Sequence, residues 1–203
     1  MELIPTIEIG WLNGWILICL FGLISQILVK TFPKDVRTRL WGRERLGLTT
    51  KEKVLNGIGK LLGLVYIILI IFTPLEIGTD IFIIGMILYV VGFGGVIFAL
   101  FNFKNAPPNQ PATKGLYRTS RHPQEFMLSI LFLGICIAIG SWIALFILII
   151  SKLFRHFGIL AEEKACLERY GDSYRAYMKR VPRYFLIKTH TKEQRDISKQ
   201  SPL

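Results

Sequence analysis

The sequence predicts an all-α integral membrane protein: five transmembrane helices with a small cytoplasmic helical cap near the C-terminal end. Three observations carry this reading. Of the 203 residues, 52% are hydrophobic and only 19% are charged. Residues 9–29, 81–103 and 126–151 hold no charged side chain, and about 20 such residues suffice to cross a hydrocarbon core roughly 30 Å thick. The 25 Lys and Arg against 14 Asp and Glu, a formal net charge of +11, are segregated rather than spread. Eight basic and three acidic residues lie in 30–53, four basic and none acidic in 104–121, and twelve basic and six acidic from 152 onward. The N-terminus offers only Glu2 and Glu8, and the turn near 73–80 only Glu76 and Asp80. Cytoplasmic loops carry the excess of Lys and Arg, so the basic segments are expected inside and the N-terminus outside. A soluble enzyme, a disulfide scaffold and a disordered chain are excluded. The charge is assigned to topology and the lipid bilayer, with no nucleic-acid partner expected.

The elements follow in order. Span one covers about 11–29; its flank is acidic and lacks a basic n-region, so it does not read as a signal peptide. Residues 35–41 can lie along the interface, with Trp41 at headgroup depth. Thr49 and Glu52 form a capping box that leads into span two, about 54–72, whose one charge is Lys60. Thr73-Pro74 ends it, because Pro74 has no N–H for a helix. Span three covers about 80–103. The block 126–151 is read as two helices turning at Gly140-Ser141 and reaching from Pro123 to His156. That count leaves the basic tail inside. The last helix runs on for two or three turns past the membrane, stops near Gly171, and is followed by a short element with Asp172 at its start and Tyr174, Tyr177, Val181 and Pro182 as an apolar edge. Residues 191–203 read as a solvated tail. The chain thus divides into three spans with a basic loop (1–103), a site-bearing region (104–190) and the tail (191–203). Cys19, Cys136 and Cys166 are far apart; they make no metal-ligand spacing and are expected reduced.

Two polar clusters meet at the inner ends of the last two spans. One is Arg121-His122-Pro123, where proline at the first helical position leaves free N–H donors beside a positive dipole end. The other is Glu162-Glu163. Antiparallel neighbours joined by a short turn bring these clusters together, a mixture of charges suited to a ligand with both amino and carboxylate groups.

Gly115-Leu116-Tyr117, Arg121-His122-Pro123, Glu162-Glu163, the run from Tyr170 to Tyr174, Tyr177 and Val181-Pro182-Arg183 together resemble the isoprenylcysteine carboxyl methyltransferase and phospholipid methyltransferase group. The likeness covers about 93–185. It implies a small membrane enzyme that uses S-adenosylmethionine. By resemblance, Arg121, His122 and Pro123 cradle the cofactor, with His122 near its methionyl end. Glu162 and Glu163 correspond to paired glutamates that hold its amino or hydroxyl groups. Gly92-Phe93-Gly94 resembles a Gly-x-Gly of the phospholipid branch, although small residues also serve close helix packing. Tyr117 and the tail aromatics would line the cavity.

The chain departs from many relatives at Gln124-Glu125-Phe126-Met127, where an aromatic normally follows one residue after Arg-His-Pro. Glu125 either pairs with Arg121 or Arg118 or faces the acceptor. Methyl transfer from a sulfonium is a direct displacement, since the cofactor already carries an activated methyl group. A carboxylate acceptor needs no base. An amine acceptor must lose a proton, and Glu125 and His122 are the candidate catalytic groups. The expected function is isoprenylcysteine-like carboxyl methylation of a lipidic or small hydrophobic acceptor. Phospholipid amine methylation is the alternative within the chemistry, and a non-catalytic membrane scaffold is the alternative outside it.

Overall fold

A computed structural model of the chain describes residues 1–3, 5–41 and 49–185. The readings made for residues 42–48 of the basic loop, for the Trp41 side chain, for 186–190 and for the tail 191–203 lie outside the described residues. Among these there are seven α-helices, one 3₁₀ turn and no strand. They are α1 (Trp15–Lys30), α2 (Lys34–Trp41), α3 (Thr50–Phe72), α4 (Asp80–Lys104), α5 (Pro123–Ala138), α6 (Trp142–Tyr170) and α7 (Asp172–Arg180), with the 3₁₀ turn at Gly115–Arg118.

Local chemistry sets the boundaries. Thr49 Oγ1 accepts from the Glu52 N–H, and Glu52 Oε2 accepts from the Thr49 N–H at 2.9 Å, so the capping box opens α3. Thr79 and Ser141 cap α4 and α6 by accepting from Phe82 N–H and Ala144 N–H, both at 3.2 Å. Pro123 takes the first position of α5, where a missing N–H costs nothing. Asp172 lies in the first turn of α7, but no side chain caps that helix; Gly171 precedes it at φ +53°.

α3, α4 and α6, with 23, 25 and 29 residues, are long and apolar enough to cross a membrane. α1 and α5 are apolar but have 16 residues each, about 24 Å at 1.5 Å per residue. α4 packs along α5, and α3 along α6. Small residues allow the first contact. A Cβ on Gly92 would run into the backbone of Leu131, and one on Gly85 into that of Ala138. Close backbone approach of this kind is how helices associate in lipid. Ile70, Leu131 and Ile135 form the fully buried centre. Two buried tyrosines cross-tie the bundle: Tyr89 donates to Leu17 O at 2.8 Å and Tyr66 to Phe132 O at 2.5 Å.

One end of the bundle gathers the N-terminal segment, the α3–α4 turn and the α5–α6 turn. Glu2 N–H donates to Gly140 O at 2.7 Å, Leu75 N–H to Leu12 O at 2.9 Å, and Glu76 N–H to Ala138 O at 3.0 Å. The opposite end carries α2, residues 105–122 and α7. All the polar clusters singled out in the sequence belong to that end.

Candidate active site at the basic end of the bundle

The site is built where residues 105–122 run from α4 to α5. α2 fastens the start of this segment. The Arg39 guanidinium donates to Pro107 O at 3.0 Å and to Ala106 O at 3.1 Å, and lies 5.3 Å from the centre of the Phe103 ring. The chain after α7 fastens the end. Arg121 N–H donates to Pro182 O at 3.0 Å, Ser120 Oγ to Arg183 O at 2.9 Å, and Tyr177 Oη to Tyr117 O at 2.7 Å. Burial pushes the Tyr177 phenol well above its ordinary range, so this donor keeps its proton at physiological pH. The Val181-Pro182-Arg183 segment therefore acts as a clasp on the Arg121-His122 backbone.

Held this way, Arg121 and His122 are 5% and 8% exposed and meet two glutamates of α6. Glu163, 3% exposed, takes both Nε and Nη2 of Arg183 on one oxygen, at 2.9 and 2.7 Å. Its other oxygen lies 3.2 Å from Arg121 Nη2 and 3.4 Å from His122 Nε2. Burial works against the Arg183 charge, but the hydrogen bonds to Glu163 outweigh it and hold the guanidinium above its ordinary range. Glu162 lies 3.7 Å from His122 Nδ1 and accepts from Arg155 Nη2 at 2.6 Å. The same Arg155 nitrogen reaches Glu125 Oε1 at 2.7 Å. One chain of polar contacts thus runs from Arg183 and Arg121 through Glu163, His122, Glu162 and Arg155 to Glu125.

Two hollows flank this chain. The first is lined by Tyr117, Arg121, His122, Glu162, Tyr174 and Tyr177, with Arg39 and Phe103 at its rim. Of its lining residues, Arg121 has Nε and Nη1 buried without a hydrogen-bond partner, and His122 Nε2 makes none with good alignment. The second is a groove of about 560 Å³ between α3, α5 and α6, with Lys60, Glu125, Lys152 and Arg155 toward the basic end and Tyr66, Phe132 and Leu148 deeper. Glu162 lines both.

A family model for phospholipid methyltransferases matches residues 62–173, more than half of the chain. The chain belongs to the phospholipid methyltransferase family. No curated protein matches it. Methyl transfer is this family's chemistry, and the three long apolar helices put this methyltransferase in lipid. The match begins thirty-one residues before the resemblance seen from Phe93, taking in the second half of α3, and ends at Ser173, short of the clasp.

The methyltransferase fold brings some of the expected residues together and separates others. Tyr117, Arg121, His122 and Glu162 share one hollow. Glu163 stands behind that hollow as the counter-ion of two arginines, and Pro123 starts α5 without lining it. Gly92 is spent on the α4–α5 contact, while Gly94 is exposed, with nothing within 4 Å of its Cβ position. Positions two apart on an α-helix point about 200° away from each other, so the pair cannot serve one ligand. Glu125 pairs with Arg155, where the sequence suggested Arg121 or Arg118. Arg155, which joins Glu125 to Glu162, is the residue that the sequence reading did not single out. The available signal was its seven-residue spacing from Glu162, two turns along one helix face. His156 meets the Tyr184 hydroxyl at 2.5 Å, away from both hollows' centres.

Proposed function

We propose that this methyltransferase uses S-adenosylmethionine, bound in the tyrosine-lined hollow, to methylate a lipidic acceptor held in the α3–α5–α6 groove. The observation that carries the reading is Arg121. A guanidinium this deeply buried, with two donors lacking partners and a neighbouring carboxylate already engaged by Arg183, is the signature of a site completed by an anionic ligand group. Buried arginine and carboxylate side by side suit a ligand that carries both charges. Arg121 and His122 would take the carboxylate of the methionyl end, Glu162 an amino or hydroxyl group, and the faces of Tyr117, Tyr174 and Tyr177 a cation, each such contact contributing about 0.5–2 kcal/mol. Bound there, the cofactor supplies an activated methyl group. The protein contributes alignment and exclusion of water, which together lower a barrier by as much as roughly 7–11 kcal/mol.

The hydrogen bonds that gather the N-terminal segment and the α3–α4 and α5–α6 turns at one end support five crossings. In that reading α1 and α5 also span, the N-terminus is outside, and residues 104–190 form the cytoplasm-facing, site-bearing part with α7 and the clasp as its cap. α1 and α5 fall short of a full core thickness, a mismatch that lipid accommodates at a cost of fractions of a kcal/mol per Å.

Two acceptor chemistries fit. Isoprenylcysteine-like carboxyl methylation needs no base. Amine methylation of a phospholipid gains support from Glu125 on the groove wall, where a carboxylate meets an incoming ammonium. The test is methyl transfer from tritiated S-adenosylmethionine to lipid extracts and defined acceptors. Base-labile product marks a methyl ester, and base-stable product marks an N-methyl amine. No cofactor binding and no transfer by folded protein would leave the scaffold reading.

A further inference from the structure

Counted by the side chains that line it, the groove between α3, α5 and α6 carries more positive than negative charge. Arg155 is shared between Glu125 and Glu162. Lys60 and Lys152 line the same groove, and among the described residues neither makes an ion pair. The Lys152 ammonium lies 5.9 Å from the Phe132 ring and within electrostatic reach of Glu125, which Arg155 already pairs. Three cations against two carboxylates leave the groove one positive charge in excess. Lys60 sits six residues, about 9 Å at 1.5 Å per residue, beyond Val54, where the apolar part of α3 begins. A lysine at that depth is costly in lipid unless it faces a cavity and meets an anion. Lys60 lines the groove and is itself exposed, so its ammonium is open to an anionic group that enters there.

The polarity of the groove is graded. Asn56, Lys60, Lys152 and Arg155 are at the end near the basic loops, while Tyr66, Phe132 and Leu148 lie toward the bundle centre. A Cβ on Gly63, between the two zones, would meet nothing within 4 Å, so the groove stays open along α3. A charged head with an apolar chain matches this gradient, head toward the surface and chain toward the bilayer centre.

We infer that Lys60 and Lys152 select the acceptor by holding a single anionic group, a phosphate or a carboxylate, on an amphiphile that enters the groove from the bilayer. The inference rests on the reading of the groove as the acceptor site and adds its specificity determinant. An anion between the two lysines neutralises the groove and leaves Glu125 and Glu162, bridged by Arg155, on the side facing the tyrosine-lined hollow.

The experiment is native mass spectrometry of the full chain in a neutral maltoside detergent, titrated with dodecyl phosphate, dodecanoate and dodecyltrimethylammonium. S-adenosylmethionine binding is measured on the same samples. One dodecyl phosphate or dodecanoate per chain is expected, at least tenfold tighter than the cationic amphiphile, and the two anionic arms tell phosphate from carboxylate. Lys60→Gln with Lys152→Gln should weaken that binding at least tenfold and leave cofactor binding within twofold. Lys60→Arg with Lys152→Arg should restore it, and Gly63→Leu should block it with every charge in place. Equal binding of anionic and cationic amphiphiles, or anion binding untouched by the double glutamine variant, overturns the inference. Loss of cofactor binding in the native chain would instead defeat the methyltransferase reading, whatever the anion preference.

Discussion

Glu163→Gln removes one charge and almost no volume, so its effect reports the ion network alone. In the native protein this carboxylate is 3% exposed and is the counter-ion of Arg183, at 2.7 Å, and of Arg121, at 3.2 Å. Glutamine leaves two guanidinium groups packed together without their shared anion, and leaves His122 with Glu162 alone, at 3.7 Å. Breaking a buried pair by deleting one partner costs about 3–5 kcal/mol. Arg183 retains 13% side-chain exposure and can recover some hydration, which argues for the lower figure, about 3 kcal/mol. In a chain of this length each kcal/mol moves Tm by about 2–4 °C, so the variant should melt about 6–12 °C below the native protein. Glu162→Gln is the control. Its partner Arg155 is 32% exposed and keeps Glu125, so a loss of at most about 1 kcal/mol is expected. Tryptophan fluorescence during thermal unfolding in neutral detergent reads both. A Glu163→Gln protein melting within about 2 °C of native, less than the shift of 1 kcal/mol, would refute the view that Glu163 positions the site by neutralising it.

Other consequences are as direct. Arg121→Gln removes a charged donor from the cofactor carboxylate; at about 1.5–3 kcal/mol for such a bond, S-adenosylmethionine affinity should fall roughly 10- to 150-fold by calorimetry. Tyr177→Phe removes the hydroxyl's bond to the Tyr117 carbonyl and should destabilise by about 0.5–1.5 kcal/mol in a denaturant titration, the net worth of one such hydrogen bond. Gly92→Leu forces a side chain into the Leu131 backbone and should lower Tm and yield, while Gly94→Ala should change neither stability nor cofactor affinity. A loss of affinity in Gly94→Ala would return that glycine to the site. With the native cysteines replaced, a cysteine at Ile77 should react with an impermeant maleimide from outside and one at Lys179 only after the membrane is opened. The reverse pattern, or labelling of both from one side, contradicts five crossings.

The helices were legible because their limits are local. Pro74, Pro123, the Gly140-Ser141 turn and the Thr49–Glu52 capping box are short-range signals, and each marks a helix boundary in the structure. The meeting of Arg121 and His122 with Glu162 and Glu163 was legible for a topological reason: two antiparallel helices with a short turn must bring their far ends together. Arg155 was not. Its partner Glu125 is thirty residues away on another helix, and an arginine near the end of a span has an equally good alternative in snorkelling to the interface. The grip of Arg39 on the 106–107 carbonyls joins residues 67 or more apart, with no pattern in the sequence to announce it. The split of the Gly-x-Gly, with Gly92 packed on α5 and Gly94 exposed, was hidden for another reason. Its two glycines are only two residues apart but point to opposite sides of α4, a matter of helix period that the motif alone conceals.

Binding of S-adenosylmethionine to the purified full chain, measured by calorimetry beside Arg121→Gln, His122→Ala and Glu162→Gln, tests the central claim most directly. One site per chain in the native protein is expected. It should be weakened at least tenfold in each variant, while Glu162→Gln keeps its native melting behaviour. Folded native protein that binds no cofactor, or variants that bind it as the native chain does, would contradict the placement of the methyl donor between α5, α6 and the clasp.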